Sequence, residues 1–325
     1  MHPPERRDLP LKAAERHQLR KRSFDASARS YDRFRPGYPE ELFDDLVRLS
    51  GIPEGGRVLE IGPGTGQATL PLARRGFSIL GLELGRSMAR LCRRNLRDFP
   101  DVEIQNLAFE DWRPEENGDC GKTGTVPSQG PVRFPGTVPR FARYPRGFNG
   151  GDGTQMSSIG IVSQAARAPC GQFDLVLSAT AFHWIRARLA FTRSAAALKP
   201  GGSLALVWNF LDTPDNDFYN DLRALYRRVA PQIHLSLPPE QRIERQRRKI
   251  VGSGLFGPVT VLRYSWQKQY DADLYIGLLR TMSDHAILDP KVRRDVFRAI
   301  RKLIDDHGGS FVRPVVAVLF LAPKR

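Results

Sequence analysis

Cysteine is scarce in this 325-residue chain: Cys92, Cys120 and Cys170 are the only three, and they share no paired or metal-type spacing. That excludes a disulfide scaffold and a cysteine-type zinc site, and no metal site of any kind is expected. Long apolar runs are missing as well. The most apolar stretches, 203–211 and 315–322, have the length of strands rather than the ~18 residues of a membrane span. No apolar signal core stands at the N-terminus, so a cytoplasmic location without a membrane partner is expected. Aromatic residues make up 9% of the chain, and nowhere do they alternate with basic residues as in a single-strand nucleic-acid platform. Apolar side chains in general are not short. At 41% of this length they suffice for a full core, which excludes intrinsic disorder as the overall description.

Charge is the abnormal quantity. Fifty Lys and Arg against 35 Asp and Glu give a net +15. The excess is concentrated in residues 1–35, with ten basic and five acidic side chains, and in 227–249, with seven basic and two acidic. Such a balance suits nucleic acid or an acidic membrane surface, and equally an arginine-rich solvated face.

Residues 113–171 stand apart in composition. Eleven Gly and seven Pro crowd into these 59 positions, Gly-Thr-Val-Pro occurs at both 124–127 and 136–139, and Phe134, Phe141, Tyr144 and Phe148 follow neither helix nor strand period. This segment is expected to be a disordered insertion. Around it, strand and helix patterns alternate: strands at 57–61, 78–82, 102–106, 173–178 and 203–208, with helices at 67–75, 86–97 and 187–197, the last stopped by Lys199-Pro200-Gly201-Gly202. Such alternation implies a doubly wound, mostly parallel sheet. Strands at 259–270 and 315–322 are expected beside helices at 272–282 and 291–307. The expected organisation is a basic helical N-terminal cap over 1–50, a main domain from 51–112 and 172–325, and the insertion between.

The most informative stretch is Val58-Leu59-Glu60-Ile61-Gly62-Pro63-Gly64-Thr65-Gly66. A buried strand runs into glycines that allow a tight turn and close approach of a ligand, and a helix follows. Glu83 closes the next strand 21 residues after Gly62, the offset that sets a carboxylate on ribose hydroxyls. A dinucleotide site would want glycine where Gln67 stands.

With these residues the chain resembles the class I S-adenosylmethionine-dependent methyltransferases. Glu60-Ile61-Gly62-Pro63-Gly64-Thr65-Gly66 is similar to the first motif of that family, Glu83 to the acid closing its second strand, and Ala108-Phe109-Glu110-Asp111-Trp112 to its adenine-facing loop. Phe173-Asp174-Leu175-Val176 and Leu198-Lys199-Pro200-Gly201-Gly202 resemble the entries to its fourth and fifth strands. Tyr31-Asp32-Arg33-Phe34-Arg35-Pro36-Gly37-Tyr38-Pro39 and the Phe182-His183-Trp184 turn resemble one bacterial small-molecule branch, as do 281–285 and 313–325. The insertion is the departure. The resemblance implies a Rossmann-like sheet of about seven strands with an antiparallel C-terminal strand. It also implies S-adenosyl-L-methionine as cofactor, held by Glu60, Gly62, Gly64, Gly66, Glu83, Phe109 and Glu110, with Tyr31 and Arg35 as a lid and Arg35 on the cofactor's carboxylate.

Methyl transfer from a sulfonium is an in-line displacement in which alignment supplies much of the catalysis, and a base is needed only when the acceptor carries a proton. His183, just past the fourth strand, is the candidate base; Phe182, Trp184, Trp208 and Asn209 are candidate walls for a small-molecule acceptor. Two other readings stand beside this one. A nucleic-acid methyltransferase would suit the charge, but Ser178-Ala179-Thr180-Ala181 occupies the place of the Asn/Asp-Pro-Pro-aromatic tetrad of amino-directed nucleic-acid enzymes. A non-catalytic cofactor-binding protein would need the first two motifs without turnover. The acceptor atom and the oligomeric state are not legible in the sequence.

Overall fold

Side chains alternate across a strand, so a strand buried on both faces feeds two cores at once. A computed structural model, which describes residues 19, 23–115, 167–169, 171–233 and 237–325, follows this rule throughout the sheet. Chain order runs α1 (Ala28–Phe34), α2 (Glu40–Ser50), β1 (Arg57–Ile61), α3 (Thr69–Arg74), β2 (Ser78–Leu82), α4 (Arg86–Asn95) and β3 (Val102–Gln105). After 167–169 come β4 (Phe173–Ala179), α5 (Ala187–Ala197), β5 (Leu198–Leu211), α6 (Asp217–Val229) and α7 (Pro239–Gly252). The chain finishes with β6 (Thr260–Asp271), α8 (Ala272–Arg280), α9 (Pro290–Asp306) and β7 (Ser310–Pro323).

The seven strands form one sheet in the order β3-β2-β1-β4-β5-β7-β6. Neighbours among β1 to β5 pair in parallel, and β7 is antiparallel to both β5 and β6. This is the expected doubly wound, mostly parallel fold with an antiparallel C-terminal strand. Leu59, Ile61, Val176, Leu206, Trp208 and Phe320 face α5 and α7, whereas Val58, Leu175, Leu177, Val207 and Leu319 face α2, α3 and α4. Strand order reverses between β1 and β4, the switch point outside which open α/β sheets leave a crevice.

A third core lies beyond the strand ends. Phe218, Leu222, Leu225 and Tyr226 of α6 and Val296, Ile300 and Ile304 of α9 form apolar stripes, which meet Tyr275 and Leu279 of α8 and Tyr270 and Phe311 at the tips of β6 and β7. α6 and α7 had gone unread in the sequence, where only the charge of 227–249 drew notice. The fifth strand also begins earlier than expected. Leu198 already pairs with Phe173, and the ladder shifts register over Lys199-Pro200-Gly201-Gly202, with Gly201 at φ +79°, before resuming at Leu175↔Ser203.

Most of the expected insertion, residues 116–166 and 170, lies outside the described residues. Its two ends are described: 113–115 and 167–169 pair as a short parallel ribbon. Among the described residues no helix is long and apolar enough to cross a membrane.

The N-terminal helix α1 packs on α8 at Gly277, where an added Cβ would stand 2.5 Å from the Phe34 ring. Gly277→Ala should therefore destabilise the protein by about 1–3 kcal/mol in denaturant unfolding, overpacking outweighing the better helix propensity. Gly252→Ala, in α7 with nothing within 4 Å of the new Cβ, should instead be neutral or stabilising by up to about 1 kcal/mol. Equal effects would show that the α1–α8 seam is not rigid.

Candidate functional site

β1 ends at the switch point in a turn only glycine can make. Gly62 and Gly64 lie at φ +69° and +63°, and a Cβ on Gly62 would sit 2.5 Å from the Ala181 Cβ. The turn is pinned by Glu83 at the end of β2, which is 9% exposed. Its Oε2 accepts from the Gly64 N–H at 3.0 Å and its Oε1 from the Gly85 N–H at 2.8 Å. A carboxylate oxygen accepts more than one hydrogen bond, so Glu83 keeps capacity toward a ligand. Asn106 steadies the same strand end by donating to the Glu83 and Leu84 carbonyls, both at 2.9 Å.

Phe109 and Glu110 also reach this edge, on a loop that Arg193 of α5 clamps from behind. The Arg193 Nη1 donates to the Phe109 carbonyl at 2.8 Å and to that of Trp112 at 2.7 Å. Opposite them, Tyr31 lies over the glycine turn, 3.6 Å from where a Gly64 Cβ would be. The Arg35 guanidinium stacks over the Tyr31 ring at 5.1 Å and donates from Nε and Nη2 to the Thr281 hydroxyl and carbonyl, each at 2.9 Å. Arg35 thus seals α1 to the far end of α8. Sequence reading missed two neighbours on the N-terminal segment. Phe24 packs edge-on against Trp184, and Asp25 accepts from the Ser87 and Met88 N–H groups at the start of α4.

These groups line one cavity of about 700 Å³, which also takes in His183, Trp184, Trp208 and Asn209. Asn209 donates to the Gly37 carbonyl at 2.9 Å, while its buried Oδ1 has no partner. The Trp208 Nε1–H points at the His183 Nδ1 across 3.4 Å. In the neutral ring this puts the proton on Nε2, so the only atom of His183 able to accept a proton already faces a donor. The expected base is therefore poorly placed, and the wall role fits it better.

Three of the expected cofactor and pocket residues do not line the cavity. Gly66, at φ +100°, packs against Cys92 and Leu96, serving the turn itself. Phe182 turns into the core against Phe191. Glu60, wholly buried, projects toward the core on the α3 side, and neither carboxylate oxygen has a hydrogen-bond partner. Burial pushes the Glu60 carboxyl up to about 7, and the charge of Glu83 adds to the rise.

The cavity continues into the third core, past residues that sequence reading had only grouped under the C-terminal resemblance. His285, 2% exposed, links Asp284 to Tyr226: Nδ1 lies 2.9 Å from the Asp284 Oδ1, and Nε2 lies 2.9 Å from the Tyr226 hydroxyl. Against burial, which raises it, the hydrogen bond with His285 holds the Asp284 carboxyl below its ordinary value. In the neutral ring, an Nδ1–H that donates to Asp284 leaves Nε2 to accept from Tyr226. Arg313 of β7 and Arg242 of α7 line the same region. Among the described residues no group of three or more His, Cys, Asp or Glu side chains could hold a metal ion.

A family model described as a methyltransferase domain matches residues 31–250. An uncharacterized methyltransferase of Mycobacterium tuberculosis is 25% identical over 190 residues, 58% of this chain and 53% of that protein. The ribosomal RNA small subunit methyltransferase A of Alkaliphilus oremlandii is 30% identical over 67 residues, 21% of this chain and 23% of that protein. The chain thus spans about half the length of these curated relatives or less. Among solved structures, the YcgJ protein of Bacillus subtilis is similar with a TM-score of 0.47 and 14% identity, over 88% of this chain and 99% of that one.

The raised Glu60 carboxyl has a consequence for stability. Between its unfolded value near 4.5 and about 7, the folded chain holds a proton that the unfolded chain releases, so stability falls as pH rises through that window. Wild type should lose on the order of 3 kcal/mol more than Glu60→Gln between pH 4.5 and 7.5, as measured by denaturant unfolding. Parallel pH profiles would place the Glu60 carboxylate in contact with solvent or a partner.

Proposed function

The chain belongs to the methyltransferase-domain family, and from that premise we propose that it transfers a methyl group from S-adenosyl-L-methionine to a small-molecule acceptor. One observation carries this reading: the glycine turn and Glu83 open onto a single cavity that continues under the cap helices, large enough for a cofactor and a second organic molecule. The residues fit the cofactor. Glu83 has acceptor capacity for two ribose hydroxyls, Phe109 and Glu110 border the place for adenine, and Gly62 and Gly64 leave room for the methionine part. Tyr31 and Arg35 roof it.

Bound there, S-adenosylmethionine supplies an electrophilic methyl group on a positively charged sulfur. The chain's own residues align an acceptor with that methyl, and alignment is the larger part of such a displacement. Trp208, Trp184 and His183 form the wall against which the acceptor would lie.

The charge of +15 and the exposed run Arg245, Arg247, Arg248 and Lys249 on α7 favour a second reading, a nucleic-acid acceptor. The two are separated by incubating the protein and methyl-labelled cofactor with a small-molecule extract and, in parallel, with total RNA and DNA from the native host. Label in an organic-soluble product, identified by mass spectrometry, supports the first reading. Label retained only on polymer, with strongly salt-dependent binding, would replace it by the second.

Two sets of variants test the site. Glu83→Ala should weaken S-adenosylhomocysteine binding by about 1.5–3 kcal/mol in calorimetry, one to two orders of magnitude in Kd. Unchanged affinity would remove Glu83 from the ribose. With an identified hydroxyl or ammonium acceptor, His183→Ala should lower kcat by less than about tenfold and leave cofactor affinity unchanged. A loss of about 10²-fold or more would restore His183 as the base.

A further inference from the structure

Arg313 is a cavity-lining cation set deep in the tyrosine-rich third core, and it is 7% exposed. Its Nη1 donates to the Tyr275 hydroxyl at 2.6 Å, its guanidinium stands 5.4 Å from that ring, and its buried Nε has no acceptor. Among the described residues no carboxylate pairs with it. Three of the surrounding phenols do not serve as counter-ions, because burial pushes Tyr219 and Tyr226 upward and Tyr270 up to about 12. A guanidinium stays protonated at any working pH, and burying it without an anion costs several kcal/mol. One hydrogen bond and one ring face offset only part of that cost.

At the glycine-turn end the cavity carries Asp25, Glu83 and Glu110, which suit a cofactor with a sulfonium and an ammonium group, together with Arg35. The end built after β5 carries Arg242 and Arg313, and its acid Asp284 is engaged by His285. Arg242 stacks over Phe210 at 4.2 Å, and burial lowers it to about 10 with no acid opposing. Between the two sets lie apolar walls, among them Trp208, Ile233 and Leu279.

We infer that the methyl acceptor is an amphipathic carboxylate whose acid group binds Arg313, remote from the atom that is methylated. This rests on the methyltransferase reading and adds the substrate class. Register gives the separation. Ala179 at the end of β4 is level with Val207, and Val207 with Leu319. Arg313 lies six residues farther along β7, a rise of roughly 20 Å in extended strand, so the acid is an anchor and not the reacting group. One guanidinium among neutral phenols matches a planar monoanion better than a phosphate dianion.

The test uses full-length protein saturated with S-adenosylhomocysteine, titrated calorimetrically with 4-phenylbutyrate, with its neutral isostere 4-phenylbutanamide, and with phenyl phosphate. The carboxylate should bind at least about tenfold more tightly than the amide and more tightly than the phosphate. Arg313→Gln should erase that preference and Arg313→Lys retain part of it, with S-adenosylhomocysteine affinity within about twofold of wild type. Equal binding of acid and amide, no binding of the acid, a preference for phosphate, or a preference that survives in Arg313→Gln would each overturn the inference. So would selective loss of S-adenosylhomocysteine affinity, which would give Arg313 to the cofactor's own carboxylate. If Arg313→Gln does not fold, the wild-type comparison and the lysine variant still decide. Failure of wild type to bind S-adenosylhomocysteine would count against the methyltransferase reading instead, and the acid–amide comparison could then be made on the unliganded protein.

Discussion

The antiparallel pairing of β5 with β7, from Ser203↔Pro323 to Leu211↔Val315, is the constraint on which the site depends. β4 stops at Ala179, level with Val207, but β5 continues to Leu211, and β7 and β6 stay paired as far as Asp271↔Ser310. The extension would be an exposed ribbon if it stood alone. Its tips carry Tyr270 and Phe311, which stack at 5.9 Å and draw α6, α8 and α9 over the carboxyl edge of the sheet. The crevice that any open parallel sheet leaves at its switch point thereby gains a roof, and the roof is built from the strands of the floor.

Beneath that roof the electrostatics follow from what each end must hold. At the edge of the sheet, Glu83 collects one peptide N–H from the glycine turn, that of Gly64, and one from the turn after its own strand, that of Gly85. A carboxylate there both satisfies the backbone and leaves lone pairs facing the cavity. At the cap end, hydroxyls do the work that acids do at the turn. The Tyr226–His285–Asp284 chain runs along the wall of the same cavity, with its phenol and imidazole buried.

Legibility in the sequence tracks the distance over which a contact forms. The glycine turn and Glu83 are each set by one strand and the turn after it, and spacing located them, whereas Phe109 and Glu110 came from the family resemblance. The mostly parallel sheet followed from the alternation of elements, and the antiparallel last strand from the resemblance. The residues that escaped notice act across the chain: Arg193 reaches Phe109 over 84 positions, Asp25 reaches Ser87 over 62, and Tyr226 meets His285 over 59. No local pattern announces such partners. Glu60, Gly66 and Phe182 erred in the other direction. They belong to motifs that touch the cavity, but strand alternation sends Glu60 into the interior, and the turn and the core claim the other two. The amphipathic stripe of α6 was readable and was obscured by the arginines that flank it.

The contact between Arg35 and Thr281 joins residues 246 positions apart and closes the cavity between the first helix and the cap. Tyr31, stacked against the Arg35 guanidinium, is thereby held over the glycine turn by a residue from the other end of the chain, so the shape of that wall depends on two segments docking together.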